Sequence, residues 1–189
     1  MSWATTAIVI AAIAVLAVFL AWTAGRAFVR YRGARLVECP ETKEVVAVEV
    51  DAARAAAGAA VGRIDLKLSE CTNWPERQGC GQECLRQIEA SPEGCLVRTI
   101  VTDWYKGKTC ALCGTSLDAI DWYERRPALM GPDGRTVQWP DVPPERLPQV
   151  LASHSPLCWN CHVAESFRQQ HPELVVDNPW KTAGGAARR

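Results

Sequence analysis

The longest apolar stretch of the chain lies at its amino terminus. No charged side chain precedes Arg26, and residues 7–22 are almost wholly apolar. A helix from Trp3 to Trp22 would span about 28 Å, which matches the hydrocarbon core of a bilayer, with an indole near each interface. We therefore predict a transmembrane anchor at residues 1–29, with residues 4–25 in the lipid bilayer. A cleaved signal peptide is the alternative, but no basic residue precedes the apolar run.

Residues 30–109 alternate between short strand and helix patterns. Residues 35–51 predict two strands joined by a turn, and Val46, Val48 and Val50 share one face of the second strand. Alternating Ile64, Leu66 and Leu68 predict a third strand over residues 63–71. Residues 51–62 predict a short helix or a loose connection, and helical patterns follow over residues 79–90 and 95–108. These patterns predict a small α+β cysteine-containing region.

The second half continues in the same style, so the fold class that we predict is α+β. A Pro-Asp-Gly turn predicts a hairpin over residues 128–139. A helix interrupted at Pro148 and a helix over residues 160–171 follow. We assign residues 110–176 to one metal-binding module and residues 177–189 to a disordered tail.

The distribution of charged residues argues against nucleic-acid binding and predicts how the chain is oriented in the membrane. The chain has 21 basic and 21 acidic residues, so it lacks the basic excess that is typical of nucleic-acid binding. Basic residues follow the apolar span and none precedes it, which predicts a cytoplasmic carboxyl-terminal domain. These residues are Arg26, Arg30, Arg32 and Arg35. Arg is preferred over Lys and Ala is abundant, which suggests a GC-rich bacterial genome and hence a bacterial inner-membrane protein.

Two Cys-x-x-Cys pairs carry the clearest chemistry. Cys110 and Cys113 form the first pair, and Cys158 and Cys161 form the second. Two such pairs supply all ligands of a closed tetrahedral zinc site, and iron in a rubredoxin-like site would use the same ligands. A reducing cytoplasm favours metal over disulfides for these thiols.

The second pair also reads as a haem-attachment motif, because His162 follows Cys161 directly. In that alternative Cys158, Cys161 and His162 would hold haem c. No methionine follows His162 to act as the second axial ligand, and Cys110 and Cys113 would have no role. Zinc is therefore the preferred cofactor, with haem c or iron as alternatives.

The order of motifs from Cys110 to His171 resembles the treble-clef type of zinc finger. A Cys-x-x-Cys-Gly knuckle, a hairpin and a Cys-x-x-Cys at the start of a helix follow one another. The resemblance implies that Gly114 lets backbone amides turn toward the sulfurs and that Cys110, Cys113, Cys158 and Cys161 are the ligands. It implies a fold and not a function, because treble clefs serve nucleic-acid binding, protein binding and catalysis alike.

Five further cysteines lie between the anchor and the first pair. Their roles are open between a second metal site, buried apolar thiols and disulfides. We predict a candidate second site from Cys39, Cys71, Cys80 and Cys84, with Cys80 and Cys84 on one helical face. Cys95 would be the remaining cysteine.

No catalytic residue is predicted. The three histidines, His154, His162 and His171, stand in no recognised nucleophile or phosphate-loop context. We expect a membrane-anchored structural zinc protein that acts as an interaction or assembly module, with a membrane-associated protein partner. The alternative is a membrane-tethered electron-transfer protein, either a monohaem cytochrome or a rubredoxin-like iron protein.

Overall fold

A computed structural model describes residues 3–174 and divides the chain into two compact units. Unit 1 comprises Met1–Asp103 and Pro143–Arg146, and unit 2 comprises Trp104–Val142 and Leu147–Arg189. The fold is a mixture of helices and small sheets that follows one long apolar helix, as predicted. The boundaries predicted near residues 29 and 109 stay predictions. The predicted disordered tail, residues 177–189, lies outside the described residues.

Helix α1 (Trp3–Tyr31) is longer than the apolar stretch that predicted it. It is the one helix among residues 3–174 that is long and apolar enough to cross a membrane. Its most apolar part is exposed throughout, unlike the core helix of a soluble protein. Its last turns differ, because Ala27 and Tyr31 are buried in the hydrophobic core of unit 1.

The core of unit 1 is a three-stranded antiparallel sheet covered by a short helix. Strands β1 (Arg35–Glu38), β2 (Val45–Val50) and β3 (Leu68–Cys71) lie in the order β1-β2-β3. The predicted hairpin is confirmed, and Val46, Val48 and Val50 are all buried. Helix α2 (Ala52–Ala60) begins at Asp51, whose carboxylate accepts a hydrogen bond from the Arg54 amide, as expected of an N-cap.

Two details of the predicted unit 1 elements are wrong. Strand β3 begins at Leu68, so Ile64 and Leu66 lie outside it, and Ile64 is exposed. Helix α3 (Leu85–Ala90) begins after Cys84, so Cys80 and Cys84 do not share a helical face. Glycines flank Cys80, and Gln82 has a φ of 53°, so the backbone there is not helical.

Arg35 is buried and caps the end of α1, which its position after an apolar span did not suggest. Its guanidinium donates hydrogen bonds to the carbonyl oxygens of Arg30 at 2.5 Å and Tyr31 at 2.6 Å. It also reaches the carbonyl oxygens of Gly33 at 2.9 Å and Pro92 at 3.3 Å. Carbonyls at a helix carboxyl terminus have no partner within the helix, so one cation satisfies them and joins α1 to unit 1.

Helix α4 (Val97–Tyr105) carries the chain from unit 1 into unit 2. Unit 2 then contains a second antiparallel sheet of strands β4 (Ala128–Met130), β5 (Thr136–Gln138) and β6 (Ser155–Leu157), in the order β5-β4-β6. The predicted hairpin is confirmed as β4 and β5. Strand β6 was not predicted, because its three residues include a proline and its pairing with β4 is long-range.

Two helices complete the described part of unit 2. Helix α5 (Leu147–Ser153) carries Pro148 in its first turn and is not interrupted, since a proline there removes no helical hydrogen bond. Helix α6 (Trp159–Gln170) begins at the second cysteine pair, as predicted. Short 3₁₀ turns lie at Trp139–Asp141, Pro144–Arg146 and Pro172–Leu174. The core of unit 2 includes Tyr105, whose hydroxyl donates to the Ala128 carbonyl oxygen at 2.7 Å.

Candidate metal centre

The first cysteine pair lies in a tight backbone turn that is closed by one short strand-like pairing. Thr109 and Ser116 pair across the turn, and the Cys110 amide donates to the Thr115 carbonyl oxygen at 2.8 Å. The Gly114 amide returns to the Cys110 carbonyl oxygen at 2.9 Å, with Gly114 at a φ of 74°. That left-handed conformation suits glycine, so the residue after the pair closes the turn as expected.

The second cysteine pair lies at the amino terminus of helix α6. Cys158 is the N-cap of α6, and its sulfur accepts the Cys161 amide hydrogen bond at 3.5 Å. The amino terminus of a helix carries partial positive charge, which stabilises nearby thiolates. The Ala111 amide donates to the Pro156 carbonyl oxygen at 2.9 Å, which ties the turn of the first pair to β6.

The two pairs meet in one cluster. The sulfurs of Cys110, Cys113, Cys158 and Cys161 all lie within 4.8 Å of one another. The Sγ atoms of Cys113 and Cys158 are 3.6 Å apart. A tetrahedral zinc site with Zn–S bonds of about 2.3 Å places its sulfurs about 3.8 Å apart. The cluster therefore has the dimensions of a four-thiolate site, and it could hold a metal ion.

The pKa values of these thiols are pulled in opposite directions. The hydroxyl and amide of Thr115 lower the pKa of Cys113 to about 6. Burial alone would raise the pKa of Cys110, but surrounding backbone amides donate to its sulfur and lower it overall. Burial, followed by the neighbouring sulfurs, raises the pKa values of Cys158 and Cys161. Crowded thiols of this kind become four thiolates when a dication balances their charge.

His162 faces strand β5. Its Nδ1 lies 3.0 Å from the Thr136 hydroxyl, and its Nε2 lies 3.4 Å from the Gln138 side-chain amide. The sulfurs of Cys158 and Cys161 instead face the first cysteine pair. This arrangement supports the four-thiolate interpretation over haem attachment.

The other predicted ligand set lies in unit 1. Cys39, Cys71, Cys80 and Cys84 line one cavity of about 250 Å³. Their sulfurs are spaced more widely than those of unit 2, which alone among residues 3–174 has three or more candidate ligands within 4.8 Å of one another. Cys95 lies outside this cavity, with its sulfur 3.7 Å from the Gln87 carbonyl oxygen.

Sequence reasoning missed the role of Thr115. Its hydroxyl lies 3.2 Å from the Cys113 sulfur, and its carbonyl oxygen accepts the Cys110 amide. A hydroxyl residue directly after the Cys-x-x-Cys-Gly segment is the only signal that could have suggested it. Thr115 therefore both closes the turn and lowers the pKa of one candidate ligand.

Searches of protein families, of curated proteins and of solved structures found no match for this chain.

Proposed function

We propose that this chain is a membrane-anchored zinc protein whose four-thiolate centre stabilises unit 2 as an interaction module at the cytoplasmic face of a bacterial inner membrane. The convergence of four sulfurs within 4.8 Å carries the proposal. Two distant cysteine pairs come together there through a turn and a helix amino terminus, which is the usual construction of a structural metal site.

A structural role follows from the ligand set. Four thiolates complete the tetrahedral coordination of zinc and leave no position for an activated water or a substrate. The order of turn, hairpin and helix supports the resemblance to the treble-clef finger, which we keep as part of the proposal. Iron would accept the same four ligands, and a rubredoxin-like electron-transfer protein is therefore the second candidate.

Retention of α1 as an anchor is supported by how the helix ends. A signal sequence is removed from the mature protein, whereas the last turns of α1 contribute Ala27 and Tyr31 to the core of unit 1. Arg35 binds the carbonyl oxygens at the same helix end. The exposed apolar part of α1 requires a nonpolar environment, which a bilayer supplies.

Three exposed arginines support the cytoplasmic orientation. Arg26, Arg30 and Arg32 are all exposed at or just after the end of α1. The Arg26 guanidinium also lies 4.8 Å from the centre of the Trp22 ring, a pairing suited to a membrane interface. Arg35 is buried and does not add to this count.

An interaction role is supported by apolar side chains that unit 2 leaves exposed. Val163 and Phe167 are 47% and 52% exposed and lie one turn apart on α6. Leu112, in the turn of the first cysteine pair, is 52% exposed. The tryptophans of the described part of unit 2 are all partly buried, so these aliphatic and phenyl side chains are the better contact candidates. The partner would be a membrane-associated protein.

Site-specific photocrosslinking in native membranes tests this role. A crosslinking amino acid at Val163 or Phe167, in the full chain, should capture one defined protein. The same amino acid at Tyr123, which is 83% exposed in the same unit, serves as the control and should not. Capture from neither α6 position, or equal capture from Tyr123, would contradict the interaction role.

A further inference from the structure

The cavity of unit 1 brings together cysteines from three separate segments. Cys39 directly follows β1, Cys71 ends β3, and Cys80 and Cys84 precede α3. All four line the same cavity of about 250 Å³. Cys84 belongs to the hydrophobic core of unit 1, and Cys39 and Cys71 pack against it. Apolar packing does not call for sulfur in particular, so a shared chemical role is the simplest reason for four cysteines around one cavity.

The backbone at Cys39 repeats the turn of the first cysteine pair. The Cys39 amide donates to the Glu44 carbonyl oxygen at 2.9 Å, as the Cys110 amide donates to Thr115. The Lys43 amide returns to the Cys39 carbonyl oxygen at 2.8 Å, as the Gly114 amide returns to Cys110. The fifth residue of each turn also has a positive φ.

At Lys43 this φ is 59°, a backbone conformation that residues other than glycine rarely adopt. In both turns, backbone amides two and three residues on donate to the sulfur of the first cysteine and lower its pKa. Cys39 is thus held in the geometry of a metal-binding turn. Thr42 stands where a second cysteine would stand, so the remaining ligands must come from elsewhere.

The other three cysteines line the same cavity as Cys39. Cys84 is buried, with 6% of its surface exposed, and burial is the main cause that raises its pKa to about 11. The sulfurs of Cys71, Cys80 and Cys39 are further causes of that rise. The Asn73 amide donates to the Cys71 sulfur in the same way as the turn amides do at Cys39.

Two buried donors beside the cavity have no hydrogen-bond partner. Asn73 Nδ2 and Trp74 Nε1 are both buried and find no partner among residues 3–174, and both residues line the cavity. An unpaired buried N–H group is destabilising, so it calls for an explanation. Thiolate sulfurs can accept hydrogen bonds from these two N–H groups. N–H donors around a cluster of thiolates also offset part of its negative charge.

We propose that Cys39, Cys71, Cys80 and Cys84 form a second four-thiolate site, which binds zinc or another divalent ion that prefers tetrahedral sulfur. The segment over residues 72–84 contains no helix or strand, and the proposal requires it to shift so that the sulfurs come within bonding distance. Metal binding would then fix this segment against the sheet. The site lies in unit 1 and is independent of the zinc centre of unit 2.

Metal stoichiometry of the full chain tests the proposal directly. The chain is purified in detergent under reducing conditions, and zinc is measured by elemental analysis and by release with a mercurial thiol reagent. We expect two zinc ions per chain. Cys39→Ser with Cys84→Ser should reduce this to one, and Cys110→Ser with Cys113→Ser should also leave one. Cys95→Ser, a change in the same unit but outside the cavity, should leave two.

The outcomes separate the two sites. One zinc in the unmodified chain that persists in the Cys39→Ser, Cys84→Ser variant would overturn the second site and leave the proposed function intact. If the unmodified chain instead holds only one zinc and the Cys110→Ser, Cys113→Ser variant still holds it, the first site is contradicted. Disulfides that join any of the four cavity cysteines, found by alkylation and mass spectrometry, would also overturn the second site. The unmodified chain alone gives a decision if a variant fails to fold.

Discussion

Replacing Cys110 with serine should unfold unit 2 while leaving unit 1 folded. Cys110 is 2% exposed, and its sulfur is one of the four that meet in the cluster. The serine hydroxyl is a poor ligand for the metal, and here it would replace a thiolate at a buried position. The substitution therefore removes one of four bonds to the metal and leaves the amides that surround the sulfur with a weaker acceptor.

The size of the effect follows from the small core of unit 2. Its described part has fewer than 70 residues, and its buried apolar side chains outside the cluster are few. They are Tyr105, Leu117, Ala128, Leu129, Val142, Leu147, Leu151 and Leu157. A core of this size supplies at most about 3–5 kcal/mol, whereas a structural zinc ion supplies on the order of 10 kcal/mol. Loss of even half of the metal contribution, about 5 kcal/mol, equals or exceeds what the core provides.

Hydrogen exchange measured by mass spectrometry on the full chain reports this loss region by region. We expect the amides of β4, β6 and α6 to lose protection in Cys110→Ser, while β1 and β2 keep theirs as an internal reference. Cys95→Ser is the matched control and should leave both patterns unchanged. Full protection of β4 and α6 in a metal-free Cys110→Ser chain would refute the reasoning, because it would show that the core folds unit 2 without metal.

Three further predictions test other parts of the account. Arg35→Met should destabilise unit 1 by about 3–5 kcal/mol, because it leaves the carbonyl oxygens at the end of α1 without a buried partner. Faster proteolysis of the sheet would show this loss of stability. Unchanged resistance to proteolysis would contradict it. Gly114→Ala should lower the stability of unit 2 in thermal unfolding by about 1–2 kcal/mol, because the φ of Gly114 is 74°. Lys43→Ala in the matching turn should have little effect, because the residue there already carries a side chain. Equal effects of the two substitutions would contradict this difference between the two turns. A reporter active only in the cytoplasm, fused after Arg189, should be active; activity of a periplasmic reporter alone would reverse the orientation.

Local patterns predicted most of the elements, because their causes are local. Alternating valines predicted β2, and the two Cys-x-x-Cys spacings identified the four residues of the cluster. The ligand set needed no knowledge of the fold, since two residues between cysteines already direct both sulfurs to one side. The meeting of the two cysteine pairs in one cluster remained an expectation, because no local pattern brings together two pairs that are so far apart in sequence.

The errors arose where long-range contacts decide the structure. Strand β6 exists because it pairs with β4, and its three residues carry no strand pattern of their own. Arg35 follows an apolar span in the way that membrane-flanking residues do, yet the carbonyl oxygens of α1 and of Pro92 draw it into the core. The turn at Cys39 contains one cysteine where a metal-binding motif has two, so its likeness to the turn at Cys110 is visible only in the backbone.

The metal content and visible spectrum of the purified chain test the central claim most directly. We predict a colourless protein that contains zinc, and Cys161→Ser should remove one equivalent. Absorption from a ferric thiolate centre, lost in the same variant, would replace zinc with iron and support electron transfer. A covalent haem band, or a unit 2 that is folded and free of metal, would contradict the four-thiolate zinc centre.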